Sequence, residues 1–154
     1  MDRIEMAKRS YAQAQRMTIG MAASVVAYGA IGYYLIQAGK GGPAILNAQT
    51  YPLVKYGALM VSAVGIFVMW LLSNRMFSAS QTVSSAAGRP VQKLFVKTVL
   101  MSAGAEVPVF LGMVLVFLGR QPYDYIPFAI ISLAGFFLAF PKKQQWIDWL
   151  GVDF

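Results

Sequence analysis

The sequence predicts an all-α integral membrane protein: one domain, residues 1–154, folded as a bundle of four transmembrane helices. Hydrophobic residues make up 58% of the chain and charged residues only 12%, whereas soluble domains carry about 25% charged residues. Four long apolar segments take up most of the length. Backbone groups in lipid must pair within their own segment, so each of these segments is expected to be helical.

The four apolar segments predict spans over residues 17–38, 53–74, 97–119 and 125–141. The first has no charged residue and is too long for the apolar part of a signal peptide, so we expect it to be retained. The second ends before Arg75. Residues 76–88 are predicted to extend its helix, which ends at Gly88-Arg89-Pro90. The third contains Glu106. The fourth is the shortest, near the lower limit of about 17 residues for a span.

The basic residues predict the orientation of the bundle. Ten of the thirteen Lys and Arg residues lie in or beside residues 1–16, 75–96 and 142–154. Positive charge is retained on the cytoplasmic side of membranes. We therefore expect a cytoplasmic N-terminal segment, a cytoplasmic middle loop and a cytoplasmic interfacial tail, in a bacterial inner membrane. Because topology accounts for the basic charge, no nucleic-acid partner is expected.

The tail after the last span carries residues typical of the membrane surface. Trp146 and Trp149 follow Lys142 and Lys143. Tryptophan rings and basic side chains of this kind sit at headgroup level. These four residues are predicted to be interfacial anchors, with membrane lipids as partners.

Cysteine and histidine are both absent from the chain. Their absence removes the usual ligands of zinc, iron–sulfur clusters and haem. It also removes two common nucleophiles and bases. We expect no metal, no cofactor and no enzymatic activity.

Glu106 is the one acidic residue predicted to lie inside the membrane, about 12 Å from the end of its span. A carboxyl group at that depth is costly unless it faces the bundle interior. Pro108 has no N–H, which leaves the carbonyl of Gly104 without its helical donor. Gly104, Ala105 and Gly112 allow a neighbouring helix to approach closely. The residues expected at the depth of Glu106 on the other spans are Ser24, Tyr28, Ser62, Gly65 and Ser132.

Three roles for Glu106 are compatible with this setting. A protonated carboxyl group could bond to a neighbouring hydroxyl or backbone group and serve only the packing. The group could exchange protons or ions, for which Glu106, Gly104, Ser62, Ser24 and Tyr28 form the candidate site. It could also make a polar contact to another subunit.

The hairpin formed by residues 53–119 resembles that of subunit c of rotary ATPases. The resemblance lies in a polar turn with Arg89-Pro90, followed by a helix with the sequence AEVPVFLG around Glu106. It implies that Glu106 carries H⁺ or Na⁺. The chain departs from that family in its two additional spans and in the second span, which has Gly57 and Gly65 in place of a glycine repeat.

Two functions follow as expectations. The first is an accessory or assembly subunit that packs within a larger membrane complex, or associates with itself, through small residues such as Gly20, Ser24, Ala27 and Gly104. The alternative is an ion- or proton-translocating subunit that uses Glu106.

Overall fold

A computed structural model describes residues 3–39, 44–78 and 89–150 of the chain. This part is almost entirely helical and contains no strand. Its helices are α1 (Arg3–Gln37), α2 (Thr50–Ser78), α3 (Arg89–Gly119), α4 (Tyr125–Ala139) and α5 (Lys143–Leu150), and a 3₁₀ turn over Pro122–Asp124 precedes α4. Four helical stretches are long and apolar enough to cross a membrane. The prediction of an all-α bundle with four such helices is therefore confirmed.

Three of the four long helices, α1, α2 and α3, extend beyond their predicted spans at ends that carry polar residues. α1 begins at Arg3, so most of the predicted N-terminal segment is helical. α3 begins at Arg89, where Pro90 suits the first turn because the N–H that it lacks has no helical acceptor there. α2 begins at Thr50, whose backbone N–H donates to Asn47 Oδ1 at 2.8 Å. The predicted extension of α2 reaches Ser78, and its remainder, residues 79–88, lies outside the described residues.

α3 and α4 form the centre of the bundle. α3 packs against α1, α2 and α4, and α4 also packs against α1 and α2. Four of the side chains with 0% exposure belong to this central pair: Val109, Ser102, Phe128 and Ser132. α1 and α2 lie at the outside, with much of their apolar surface uncovered by protein.

The two ends of the bundle differ in what they contain. At one end, the beginnings of α1 and α3 meet α5, because Ala7 and Ala14 pack with Val91, Leu94 and Trp146. We call this the terminal end. At the other end, the start of α2 and the turn before α4 come together around Asp124, and we call this the Asp124 end. The side of a membrane that each end would face stays a prediction.

Small residues allow the central helices to approach closely, as predicted for Ala105 and Gly112. A Cβ atom added to Gly112 would lie 2.7 Å from the Cβ of Phe128. One added to Gly135 on α4 would lie 2.9 Å from the Cβ of Ala105. Real Cβ atoms do not come this close, so glycine is required where α3 and α4 meet.

Trp146, one of the four predicted interfacial anchors, is buried within the protein. Its side chain is 2% exposed, and its ring meets that of Tyr11 edge-on, with centroids 5.6 Å apart. The short helix α5 folds back onto α1 and α3 and buries this tryptophan between them. Lys142 and Lys143 are exposed as an anchor requires, and the side chain of Trp149 lies outside the described part of the chain.

Candidate functional site: the Glu106 carboxyl and the Asp124 ion pair

Glu106 lies near the middle of α3 and turns its carboxyl group towards α1. Its Oε1 is 3.0 Å from Ser24 Oγ, which can donate a hydrogen bond to it. The Glu106 side chain is only partly buried. Of the residues predicted by depth, Ser24 is the one that the fold brings to the carboxyl group.

The hydroxyl of Ser24 has two acceptors within reach. Besides Glu106 Oε1, the carbonyl oxygen of Met21 lies 2.6 Å from Ser24 Oγ. A hydroxyl group carries one proton and accepts through two lone pairs. Both contacts become hydrogen bonds at once if Ser24 donates to Met21 and a protonated Glu106 donates to Ser24. The arrangement thus suits a carboxyl group that can hold a proton.

The other residues predicted near Glu106 have different partners. Tyr28 packs its ring against Phe110 of α3, with centroids 5.4 Å apart. Ser62 donates to the carbonyl of Ala58 in its own helix at 2.7 Å. Ser132 donates to the carbonyl of Ala105, so it reaches the backbone beside Glu106 and not the carboxyl group.

Gly104 and Gly65 differ in what surrounds them. A Cβ atom added to Gly104 would lie 2.1 Å from Met69 Sδ. This glycine therefore lets α2 approach α3 one turn from Pro108. Gly65 has open space where its side chain would be. Its surface faces away from the bundle and from Glu106.

A second polar contact joins α1 and α3 on the terminal side of Glu106. Thr18 Oγ1 and Ser102 Oγ are 3.2 Å apart, and both residues are almost fully buried. Thr18 also donates to the carbonyl of Ala14 at 3.0 Å. The α1–α3 seam thus contains two polar pairs, each of which fixes the register of two otherwise apolar helices.

The Asp124 end contains a buried charged cluster that the sequence did not predict. Asp124 is 7% exposed. Its Oδ1 accepts from Lys55 Nζ at 2.7 Å, and its Oδ2 accepts from the hydroxyl of Tyr51 at 2.5 Å. Both donors belong to α2, whereas Asp124 immediately precedes α4. The cluster therefore ties the start of α2 to the start of α4.

The sequence contained a signal for this pair. Lys55 lies two residues inside the predicted second span, and Asp124 directly precedes the fourth. Neighbouring spans run in opposite directions, so the start of the second and the start of the fourth lie at the same end. The depth of a residue in the bundle can be estimated by counting residues from the end of its span, as was done for Ser24 and Glu106. The same estimate places Lys55 and Asp124 at one level.

Comparison with known proteins adds no family to this geometry. No protein-family model matches the chain, and neither curated proteins nor solved structures gave a significant match.

Proposed function

We propose that this chain is an accessory or assembly subunit that packs against another membrane protein through the outer face of α1. The observation that carries the proposal is a row of small, exposed residues on that face, spaced three or four apart: Gly20, Ala23, Ala27 and Ala30. A Cβ atom added to Gly20 would meet nothing within 4 Å. Small residues at this spacing are typical of helix–helix interfaces in membranes, because they let two backbones approach.

The polar groups inside the bundle support this proposal in a different way. Glu106, Thr18 and Ser102 have hydrogen-bond partners within the chain. Such partners pin α1 to α3 and so hold the small-residue face of α1 in a fixed position. In this function Glu106 is a packing residue.

Larger side chains on the outer face of α1 would test this function. The tagged full-length chain would be expressed in its native cells, cross-linked and solubilised in mild detergent. We expect one membrane protein to be recovered in a fixed ratio, and Ala27→Leu and Gly20→Leu to lose it while the variants remain folded. Added side chains separate two closely packed helices, whereas lipid adapts to them.

Val26→Leu is the matched control for the α1 face. Val26 is 70% exposed and lies about 100° around the helix from Ala27. We expect this variant to retain the partner. Recovery of the wild-type chain alone, or of the same partner with all three variants, would contradict the assignment of α1 as the docking face.

A second candidate function is proton or ion binding at Glu106, as the likeness to rotary ATPase subunit c implies. The observation that favours it is the pair of acceptors around Ser24 Oγ, which a protonated Glu106 would complete. On this hypothesis dicyclohexylcarbodiimide, which modifies protonated carboxyl groups in membranes, labels Glu106. Mass spectrometry of the labelled chain locates the modification.

The labelling experiment has two informative variants. Glu106→Gln is expected to abolish labelling and to keep the fold, because its amide group can still donate to Ser24 Oγ. Ser24→Ala removes the hydrogen-bond partner of Glu106 and is expected to change the extent of labelling, because Ser24 Oγ no longer holds the carboxyl group. If the wild-type chain stays unlabelled between acid and alkaline pH, the carboxyl group is inaccessible and the ion-binding function is excluded.

A further inference from the structure

The two carboxyl oxygens of Glu106 have different surroundings. Oε1 contacts Ser24 Oγ, whereas Oε2 has no hydrogen-bond or ion-pair partner within residues 3–39, 44–78 and 89–150. In the same part of the chain, Ser73 Oγ is the one buried side-chain polar atom that lacks a partner. The Oε2 atom therefore reaches the surface of the bundle, which agrees with the partial burial of the Glu106 side chain.

The surface beside Glu106 on α3 faces away from α4. The exposed residues Ala103 and Val107 lie about 60° and 100° around the helix from Glu106, in the same direction. Ala105 lies about 100° in the other direction and meets Gly135 of α4, where an added Cβ atom would lie 2.9 Å from the Cβ of Ala105. The exposed side of Glu106 therefore continues onto the side of α3 opposite to α4.

The surface beside Ser24 on α1 faces the same way. The exposed residues Gly20 and Ala27 lie about 40° and 60° around the helix from Ser24, in one direction. Gly29 lies about 140° in the other direction and meets α4, because a Cβ atom added to it would lie 2.7 Å from Tyr125 Cε1. Both helices thus present an exposed surface on the side opposite to α4, with the contact between Ser24 and the carboxyl group between them. We call this surface the α1–α3 groove.

The two helices of the groove carry no basic residue near the carboxyl group. On α1 the nearest is Arg16, eight residues from Ser24, and on α3 it is Lys97, nine residues from Glu106. Each therefore lies about 12–14 Å away along the helix axis. A second copy of the chain with its helices at the same depth has the same spacing, so it does not supply a positive charge at this level either.

We propose, building on the function proposed above, that the α1–α3 groove binds a membrane-spanning helix of the partner protein, and that this helix carries a lysine or arginine that pairs with Glu106. Ionisable groups inside membranes are costly alone and pair with one another. The small residues Gly20, Ala27 and Ala103 leave room for the approaching backbone. Glu106 then serves packing through Oε1 and recognition of the partner through Oε2.

Photo-crosslinking tests where the partner helix lies. The photoreactive residue p-benzoylphenylalanine would replace Ala27, Val107 or Ile130 in the tagged full-length chain, and the native cells would be irradiated. Val107 lies in the groove, and Ile130 is a matched control that is 62% exposed on α4. We expect crosslinks to one membrane protein from the first two positions and none from the third. Mass spectrometry of the crosslinked peptide should locate a lysine or arginine within an apolar segment of about 20 residues.

Substitutions test the pairing of charges. Glu106→Gln removes the negative charge and keeps a group that can bond to Ser24 Oγ, and it should lower recovery of the partner at least about tenfold. Replacing the located basic residue of the partner with methionine should cause a similar loss. Because the two groups act on each other, the combined change should add little further loss. Glu5→Gln makes the same chemical change on the exposed surface of α1 and should leave recovery unaltered.

The outcomes distinguish the groove from the α1 face as a whole. Crosslinks from position 27 with none from position 107 would overturn the groove and leave the partner on α1. Full recovery with Glu106→Gln, or a crosslinked segment without a basic residue, would overturn the charge pairing alone. Crosslinks to a second copy of this chain would overturn the choice of partner. No crosslink from either position would contradict both the groove and the function proposed above.

Discussion

Replacing Asp124 with asparagine is expected to lower the free energy of unfolding by about 3 kcal/mol, near the lower end of the range for breaking a buried ion pair. Asparagine has the same shape and can still accept from Tyr51, but it leaves the ammonium group of Lys55 without its counter-charge. The side chain of Lys55 is 23% exposed, so water relieves part of the penalty. Titration of the purified protein with a denaturing detergent, followed by circular dichroism, measures the change.

A double-mutant cycle isolates the interaction between Lys55 and Asp124. Adding Lys55→Met to Asp124→Asn removes the orphaned charge, and most of the lost stability should return. The matched control is Glu5→Gln, which breaks the ion pair between Arg9 and Glu5 on the surface of α1. That pair is exposed, and its loss should cost less than about 1 kcal/mol. Equal losses at Glu5 and Asp124 would show that burial adds nothing to the Lys55–Asp124 contact.

Replacing Trp146 with alanine is expected to cost about 3 kcal/mol, the lower end of the range for removing a buried tryptophan. The lower end applies because α5 is a short helix that can detach from α1 and α3 without unfolding the rest. Hydrogen exchange should show the amide groups of α5 losing protection first. The same titration in denaturing detergent gives the overall loss.

Trp70→Ala is the control for Trp146. Trp70 is 37% exposed on α2, and its ring contacts Phe67 of the same helix. Its removal should cost less than about 1 kcal/mol, because little packed surface is lost. If Trp146→Ala changes only partitioning into lipid and leaves the stability and α5 protection unaltered, Trp146 is an interfacial anchor after all.

The positions of the four long helices could be predicted from the sequence because hydropathy is a property of consecutive residues. A stretch such as residues 17–38 is apolar whatever surrounds it. Helix ends were less predictable, since α1 and α3 continue past the apolar residues into polar ones. Those extensions are stabilised by contacts at the terminal end, where Ala7 and Leu94 pack around Trp146.

The residues around Glu106 could be predicted only in part. Depth along a span follows from residue count, and it placed Ser24, Ser62 and Ser132 at the level of Glu106. Depth does not determine which way each helix is rotated. That rotation points Ser24 at the carboxyl group, Ser62 at its own helix and Ser132 at the backbone of Ala105.

The sequence by itself determined that this chain has four apolar helices and one acidic residue inside the third. Both follow from the order of residues along the chain. The tertiary structure decided which groups meet across the bundle, as Lys55 and Asp124 do over a separation of 69 residues. It also decided that Trp146 is buried. Such contacts depend on how helices pack and rotate, because a side chain's chemical type does not say which way it faces.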